Sequence, residues 1–143
     1  MKTKSIRQTV SFKATPHEVY EALMDSRKHA RFTQGAARIS RKVGGKISAY
    51  DGYIDGLNLE LVPDKKIVQS WRGSDWPAGH YSKATFALAR TKTGTRLTFT
   101  QTGVPQDQLR SISLGWKEHY WEKMKAILEG SSRTARVTPA ENA

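Results

Sequence analysis

The sequence predicts an α+β fold in which a curved antiparallel sheet of six to seven strands wraps around one long C-terminal helix. Three observations lead to this prediction. Apolar residues recur at helical spacing over residues 107–129, alternating segments bounded by turn signals recur over residues 36–102, and two short helical patterns follow the first strand. An antiparallel sheet with its helices segregated to one face defines the α+β class.

The first elements have clear local signals. Apolar and polar residues alternate over residues 6–12, which predicts a half-buried strand. A helix should begin after Thr15, because Thr15 can cap it, Pro16 suits the first helical position, and Glu18 completes a capping box. Ser26 is the predicted cap of a second short helix that ends at Phe32.

A succession of strands follows, and glycine-rich or proline-containing turns separate them. The segments are 36–41, 46–50, 53–62, 66–72, 81–90 and 95–102. Asp51-Gly52 is the strongest hairpin signal among the turns. In the segment 53–62, Leu57, Leu59 and Leu61 should share one face while Asn58 and Glu60 take the other.

The long helix is the heaviest apolar surface of the chain. Gly115 interrupts it and costs about 1 kcal/mol relative to alanine, so we expect close packing against a neighbouring backbone there. Gly130 is the predicted helix stop. The apolar stripe consists of Leu109, Ile112, Trp116, Tyr120 and Ile127.

Length and composition limit the possible classes of protein. The 143 residues predict one domain over 1–130 and a flexible tail over 131–143, which lacks aromatic residues and periodicity. The absence of cysteine excludes disulfides and thiolate metal sites. Neither a signal peptide nor an apolar run of membrane-spanning length is found, so we expect a cytoplasmic protein that does not insert into a membrane. We also expect a monomer.

The formal net charge of +11 has three interpretations. It can be simply a cationic surface, a nucleic-acid interface, or a surface that steers an acidic protein partner. The basic residues are scattered, and no strand has the aromatic and basic pattern of an RNA-binding sheet. We therefore expect no nucleic-acid partner.

Candidate catalytic and metal-binding residues form no recognisable pattern. No nucleophile elbow or phosphate-binding loop is found, and the histidines lack the spacing of metal ligands. The carboxylates of one hairpin are better explained as solvated or ion-paired groups than as an acid–base pair. We predict no catalytic residue, no metal and no cofactor. The residues considered were Asp51, Asp55, Glu60, His17, His29, His80 and His119.

A sheet that wraps around one helix commonly leaves an apolar cavity between them. The side chains expected to line it are Leu57, Leu59, Trp71, Phe86, Phe99, Trp116 and Tyr120. The alternative is that the tryptophans among them are simply core. Arg72, next to Trp71 on its strand, should point the opposite way, and the Trp76-Pro77 loop either seals the cavity or anchors a partner.

An ordered set of short motifs runs from about residue 6 to residue 130. It consists of Gly45-Lys46, Asp51-Gly52, Leu61-Val62-Pro63, Ile67-Val68, Trp71-Arg72, Trp76-Pro77-Ala78-Gly79-His80, Gly103-Val104-Pro105, and Gly115-Trp116 with Tyr120. With this set the chain resembles the helix-grip superfamily of lipid-transfer START domains, birch-pollen-type allergens and polyketide cyclases. Within it, the chain resembles the C-terminal domain of the activator of the 90-kDa heat-shock protein ATPase.

The resemblance implies a non-catalytic, co-chaperone-like domain that binds a 90-kDa heat-shock chaperone, with Arg72, Trp76 and Pro77 as candidate contacts. Full-length activators also have an N-terminal domain with a basic motif, and we expect that domain to be absent here, since only five residues precede Ile6. We therefore expect weak stimulation of the chaperone or none. The superfamily also implies two alternatives, a module that binds a small apolar ligand and, less favoured, an enzyme of the cyclase or hydrolase type.

Overall fold

The computed structural model describes residues 2–136 and confirms the α+β class. In chain order the elements are β1 (Thr3–Phe12), α1 (Pro16–Met24), α2 (Ser26–Thr33), β2 (Arg38–Ile39), β3 (Lys46–Ala49), β4 (Ile54–Val62), β5 (Lys66–Gly73), β6 (Ser82–Thr91), β7 (Gly94–Pro105), a 3-10 turn (Gln106–Gln108), α3 (Leu109–Gly115), a π-helical segment (Trp116–Trp121) and α4 (Glu122–Arg136). The last three are continuous and are called the C-terminal helix.

The seven strands form one antiparallel sheet in the order β1-β7-β6-β5-β4-β3-β2. Every neighbouring pair except β1 and β7 follows in sequence, so hairpins build the sheet and the first strand closes onto the last. We call the face that packs against the helices the inner face and the opposite one the outer face.

Local signals placed the two short helices correctly. The capping box is formed, since the Glu18 amide donates to Thr15 Oγ1 (3.1 Å) and the Thr15 amide donates to Glu18 Oε1 (2.8 Å). The cap of α2 is Asp25, which accepts from the Lys28 amide at 3.0 Å. Ser26 was the wrong choice, because its hydroxyl instead accepts from the Ile39 amide at 2.9 Å and ties α2 to β2.

The predicted orientation of β4 is wrong. Leu57 and Leu59 are 40% and 46% exposed on the outer face, while Asn58 is fully buried on the inner face. The Asn58 side-chain amide donates to the carbonyls of Ser40 (2.6 Å) and Lys42 (3.0 Å) and accepts from Gln69 (3.1 Å). A buried amide with all these partners fixes the strand in this orientation, because turning it over would leave the carbonyls unpaired.

The C-terminal helix runs past Gly130, where the sequence predicted its end, and α4 reaches Arg136. Residues 137–143 of the predicted flexible tail lie outside the described residues. No helix in the described part of the chain combines the length and apolar character that crossing a membrane requires.

Candidate functional site

An aromatic cluster fills the space between the inner face and the C-terminal helix. Trp116 lies at its centre, with ring centroids 4.3 Å from Phe99, 4.4 Å from Tyr120 and 5.6 Å from Trp71. Trp121 stacks on Trp116 at 5.5 Å and 21°. Trp71 and Trp116 are only 4% and 3% exposed, so both belong to the core.

The π-helical segment explains how one helix buries so many rings. In a regular α-helix, residues 116 and 121 would point about 140° apart, since each residue turns the chain by about 100°. The wider turn of a π-helix brings residues five apart toward one side. Trp116, Tyr120 and Trp121 are all buried as a result. Such segments occur frequently at functional sites.

Two glutamines of the sheet hold the indole groups in place. Trp116 Nε1 donates to Gln101 Oε1 (2.8 Å), and Gln101 Nε2 donates to Ser82 Oγ (2.9 Å). Trp121 Nε1 donates to Gln8 Oε1 at 2.7 Å. The buried N–H groups of the helix are therefore satisfied by β1 and β7, which fixes the depth at which the helix packs.

The predicted ligand-sized cavity is not open in the interior. A void of about 20 Å³ remains between helix and sheet, enough for about one water molecule. Trp71, Phe86, Trp116 and Tyr120 line this small void. Leu57 and Leu59 do not, because they lie on the outer face. Phe99 is fully buried behind Trp116.

The same void contacts the buried His29, which the sequence had suggested only as one of four histidines without metal-ligand spacing. His29 is 3% exposed, and its Nε2 lies 2.9 Å from the Tyr120 hydroxyl. Its Nδ1 has no hydrogen-bond partner among the described residues. Burial lowers the pKa of His29 to about 4 and raises the pKa of Tyr120, so both groups are neutral at pH 7. The spacing of His29, Phe32 and Thr33 on one face of α2 was the available signal.

A larger, open groove lies over the aromatic cluster, between the C-terminal helix and the β3–β4 turn, and encloses about 570 Å³. Tyr50 at its edge has a left-handed backbone (φ 51°), and its hydroxyl donates to the His119 carbonyl at 2.7 Å. Burial raises the pKa values of Tyr50 and Tyr53 to about 12. The groove is lined by Tyr50, Tyr53, Ile54, Trp71, Ser111, Ile112, Leu114, Gly115, Trp116, Glu118, His119 and Tyr120.

Gly115 does not pack closely against a neighbouring backbone as predicted. A Cβ at this position would meet His119 Cδ2 at 3.9 Å, an ordinary contact distance. The glycine therefore keeps a side chain out of the groove. Aromatic rings, aliphatic side chains and hydroxyls make up most of the groove lining, with one carboxylate at Glu118, and such a lining suits a small, mainly apolar or aromatic molecule.

The residues predicted to contact a partner form an internal clamp. Trp76 is 3% exposed and packs on Trp71 at 5.3 Å, so it is not a surface anchor. Arg72 Nε donates to the Pro77 carbonyl (3.0 Å) and Arg72 Nη2 to the Trp76 carbonyl (2.5 Å). Of the three residues only Pro77 is exposed. Because Arg72 binds the loop carbonyls, the loop holds Trp76 against Trp71.

The candidate carboxylates lie apart in separate interactions. Asp51 accepts from the Ala36 amide (2.8 Å), Asp55 from the Tyr81 hydroxyl (2.8 Å), and Glu60 pairs with Lys66 (3.4 Å). Among residues 2–136 no group of three or more metal-ligating side chains comes together.

Comparison with known proteins places this geometry in a family. The model of the family "Activator of Hsp90 ATPase homolog 1-like protein" matches residues 13–129. The chain belongs to this family. The resemblance drawn from the motifs is thereby confirmed, and the relatives carry the names of activators rather than of enzymes.

Individual relatives agree with the family match. An activator of 90 kDa heat shock protein ATPase homolog from Dictyostelium discoideum is 33% identical over 92% of this chain, and homolog 1 from Homo sapiens is 30% identical over 80%. The chain spans about a third of the length of these relatives, 34% in both cases. The crystal structure of an HSP90 activator from Plasmodium falciparum is 27% identical, with a TM-score of 0.83 over 87% of this chain and 96% of that one.

Proposed function

We propose that this domain binds a 90-kDa heat-shock ATPase chaperone in the cytoplasm as a non-catalytic, co-chaperone-like partner, and that it does so as a monomer. One observation carries the proposal, which is the agreement of family, sequence and fold over nearly the whole domain with proteins named as activators of that ATPase.

The charge of the chain supports a protein partner of acidic character. The formal net charge is +11, and among residues 2–129 only two ion pairs join a lysine or arginine to a carboxylate, Arg41–Glu21 and Lys66–Glu60. Most basic side chains therefore keep their charge available for long-range attraction. Association should be fast at low ionic strength and should weaken as salt shortens the Debye length.

Calorimetric titration of the chaperone with the 143-residue chain tests the binding. We expect micromolar affinity at low salt and a steep loss of affinity at high salt. An absence of heat at low salt, together with unchanged amide shifts of the chain, would overturn the proposal. ATP turnover measured in the same samples should rise little or not at all, since the chain matches about a third of the length of the activators.

A second candidate function is the binding of a small apolar or aromatic molecule, and the open groove favours it. Its volume of about 570 Å³ falls in the range typical of ligand sites. Gly115→Leu should place a side chain in the groove, and its Cβ fits because it would meet His119 Cδ2 at an ordinary 3.9 Å.

Tryptophan fluorescence during titration with an environment-sensitive naphthalene dye measures this binding. The wild type should bind the dye and Gly115→Leu should not, while Val43→Thr, at an exposed position outside the groove, serves as control. Equal binding by all three proteins would remove the groove as the ligand site.

A further inference from the structure

The outer face of β4 exposes apolar side chains that contribute little to folding. Leu57 and Leu59 are 40% and 46% exposed, and Tyr81, at the start of β6, is 44% exposed. The register of β4 and β5 shifts between Asn58 and Glu60, and on both sides of this bulge the exposed residues Leu57 and Leu59 lie on the outer face, opposite the buried Asn58. Single exposed apolar residues need no explanation, but a contiguous group of them commonly marks an interaction site.

Lysines lie on both sides of this apolar group. Lys46 on β3 is the register partner of Leu57. On the other side, the Leu57 amide donates to Ser70 Oγ at 2.9 Å, and Ser70 is the register partner of Lys83 on β6. Both lysines are exposed. A row of neighbouring residues therefore crosses the four strands β3 to β6 on the outer face. It has a lysine at each end, Lys46 and Lys83, and Leu57 between them.

Neither lysine forms an ion pair with a nearby carboxylate among the residues whose side chains the structure describes. Asp55 accepts from the Tyr81 hydroxyl at 2.8 Å and lies opposite Arg72 in the register of β4 and β5. Glu60 pairs with Lys66 at 3.4 Å. Each acidic group of this region is thus already engaged with a neighbour on the same face.

We propose that Leu57, Leu59, Tyr81, Lys46 and Lys83, which we call the outer-face patch, form the surface that docks an acidic segment of a partner protein carrying apolar side chains among its carboxylates. The leucines supply the apolar contact, and the lysines attract and orient the acidic side chains. The partner is the chaperone of the proposed function, so the inference rests on that proposal.

The positive charge of the chain favours binding of a different, acidic protein over binding of a second copy of the chain. Two copies that meet through the outer-face patch would bring lysines against lysines on molecules with a formal net charge of +11 each. Like charges at a contact oppose association, whereas an acidic segment relieves them. The outer face of β4 is therefore assigned to a contact with a different protein.

Calorimetry of the full 143-residue chain with the chaperone tests the apolar half. Leu57→Thr combined with Leu59→Thr keeps residues that favour strands and should weaken binding about tenfold or more, as expected for apolar anchors. Val43→Thr is the matched control, since Val43 is 64% exposed and lies with Tyr20 and Met24 on the helical side. Its affinity should equal that of the wild type, and urea unfolding verifies that each variant is folded.

A pair of charge variants tests the electrostatic half. Two double variants lower the net charge of +11 by the same amount. The first, Lys46→Gln with Lys83→Gln, lies in the outer-face patch, and the second, Lys117→Gln with Lys125→Gln, lies on the C-terminal helix. The double variant in the outer-face patch should weaken binding of the chaperone several-fold more than the double variant on the C-terminal helix.

Three outcomes would overturn the inference, and they differ in what they say about the proposed function. If the wild type binds the chaperone and the leucine variant binds equally well, the patch is wrong and the proposed function stands. If the wild type does not bind, both fail together. If ultracentrifugation finds a dimer of the chain that the leucine variant abolishes, the patch joins two copies instead.

Discussion

The two faces of the sheet place polar and apolar side chains in opposite ways. The inner face buries the amides of Asn58 and Gln101 completely, and each of them has hydrogen-bond partners. The outer face leaves Leu57 and Leu59 in water. Because buried amides fix strand orientation and helix depth, the inner face determines the structure. The exposed leucines contribute little to stability, so the outer face is available for contacts with other molecules.

The largest expected effect lies at the centre of the inner face. Trp116→Ala should lower the free energy of unfolding by about 3 to 5 kcal/mol, as truncation of large aromatic residues in cores does. It would also leave Gln101 Oε1 without its donor. Urea unfolding measures the loss, with Leu114→Ala, at a position that is 47% exposed, as a control expected to change little. A loss below about 1 kcal/mol would contradict the central role of Trp116.

The buried histidine makes the inner face sensitive to acid. The pKa of His29 falls from 6.5 to about 4 on folding, so the unfolded chain binds more protons between these values. Stability must therefore fall as the pH drops below 6.5, by about 3 kcal/mol at pH 4.

Urea unfolding of the wild type and of His29→Gln at pH 7 and pH 4 isolates this term, because all other titrating groups are common to both proteins. The wild type should lose more stability than the variant on acidification. If the free energy of unfolding depends on pH in the same way in both proteins, folding does not lower the pKa of His29.

A smaller effect is expected where β4 is fixed in its orientation. Asn58→Ala leaves the carbonyls of Ser40 and Lys42 and the amide of Gln69 without a partner, which should cost about 1 to 3 kcal/mol. Leu59→Ala on the same strand should stay within about 0.5 kcal/mol of the wild type. If Leu59→Ala proves the more destabilising change, the assignment of the two faces of β4 is wrong.

Sequence predicted those parts of the fold that depend on neighbours in the chain. Thr15 and Glu18 are three residues apart, so the capping box and the start of α1 follow from local chemistry. The alternation in β4 correctly put Leu57 and Leu59 opposite Asn58, but it could not show which face is buried. It also missed the bulge between Asn58 and Glu60, which moves Glu60 to the outer face and Leu61 toward the core. That choice depends on the carbonyls of Ser40 and Lys42, which approach Asn58 only in the folded sheet.

The candidate site was less predictable for similar reasons. Apolar spacing is compatible with both an α-helix and a π-helix over residues 116–121, so the stacking of Trp116 on Trp121 could not be foreseen. Trp76 occurs in a loop sequence that suits a surface anchor, and only the bonds from Arg72 to the loop carbonyls turn it inward. His29 becomes notable through its burial against Tyr120, a contact across 91 positions of sequence.

The claim that the inner face determines the structure while the outer face binds the chaperone is tested most directly by NMR. Amide chemical shifts of the isotope-labelled chain are mapped as the chaperone is added. We expect the shifted signals to cluster on the outer face, around Leu57, Leu59, Lys46 and Lys83. Signals of Ser111 and Gly115 in the groove should stay in place. Shifts confined to the groove, with the outer face unchanged, would contradict the docking of the chaperone on the outer face.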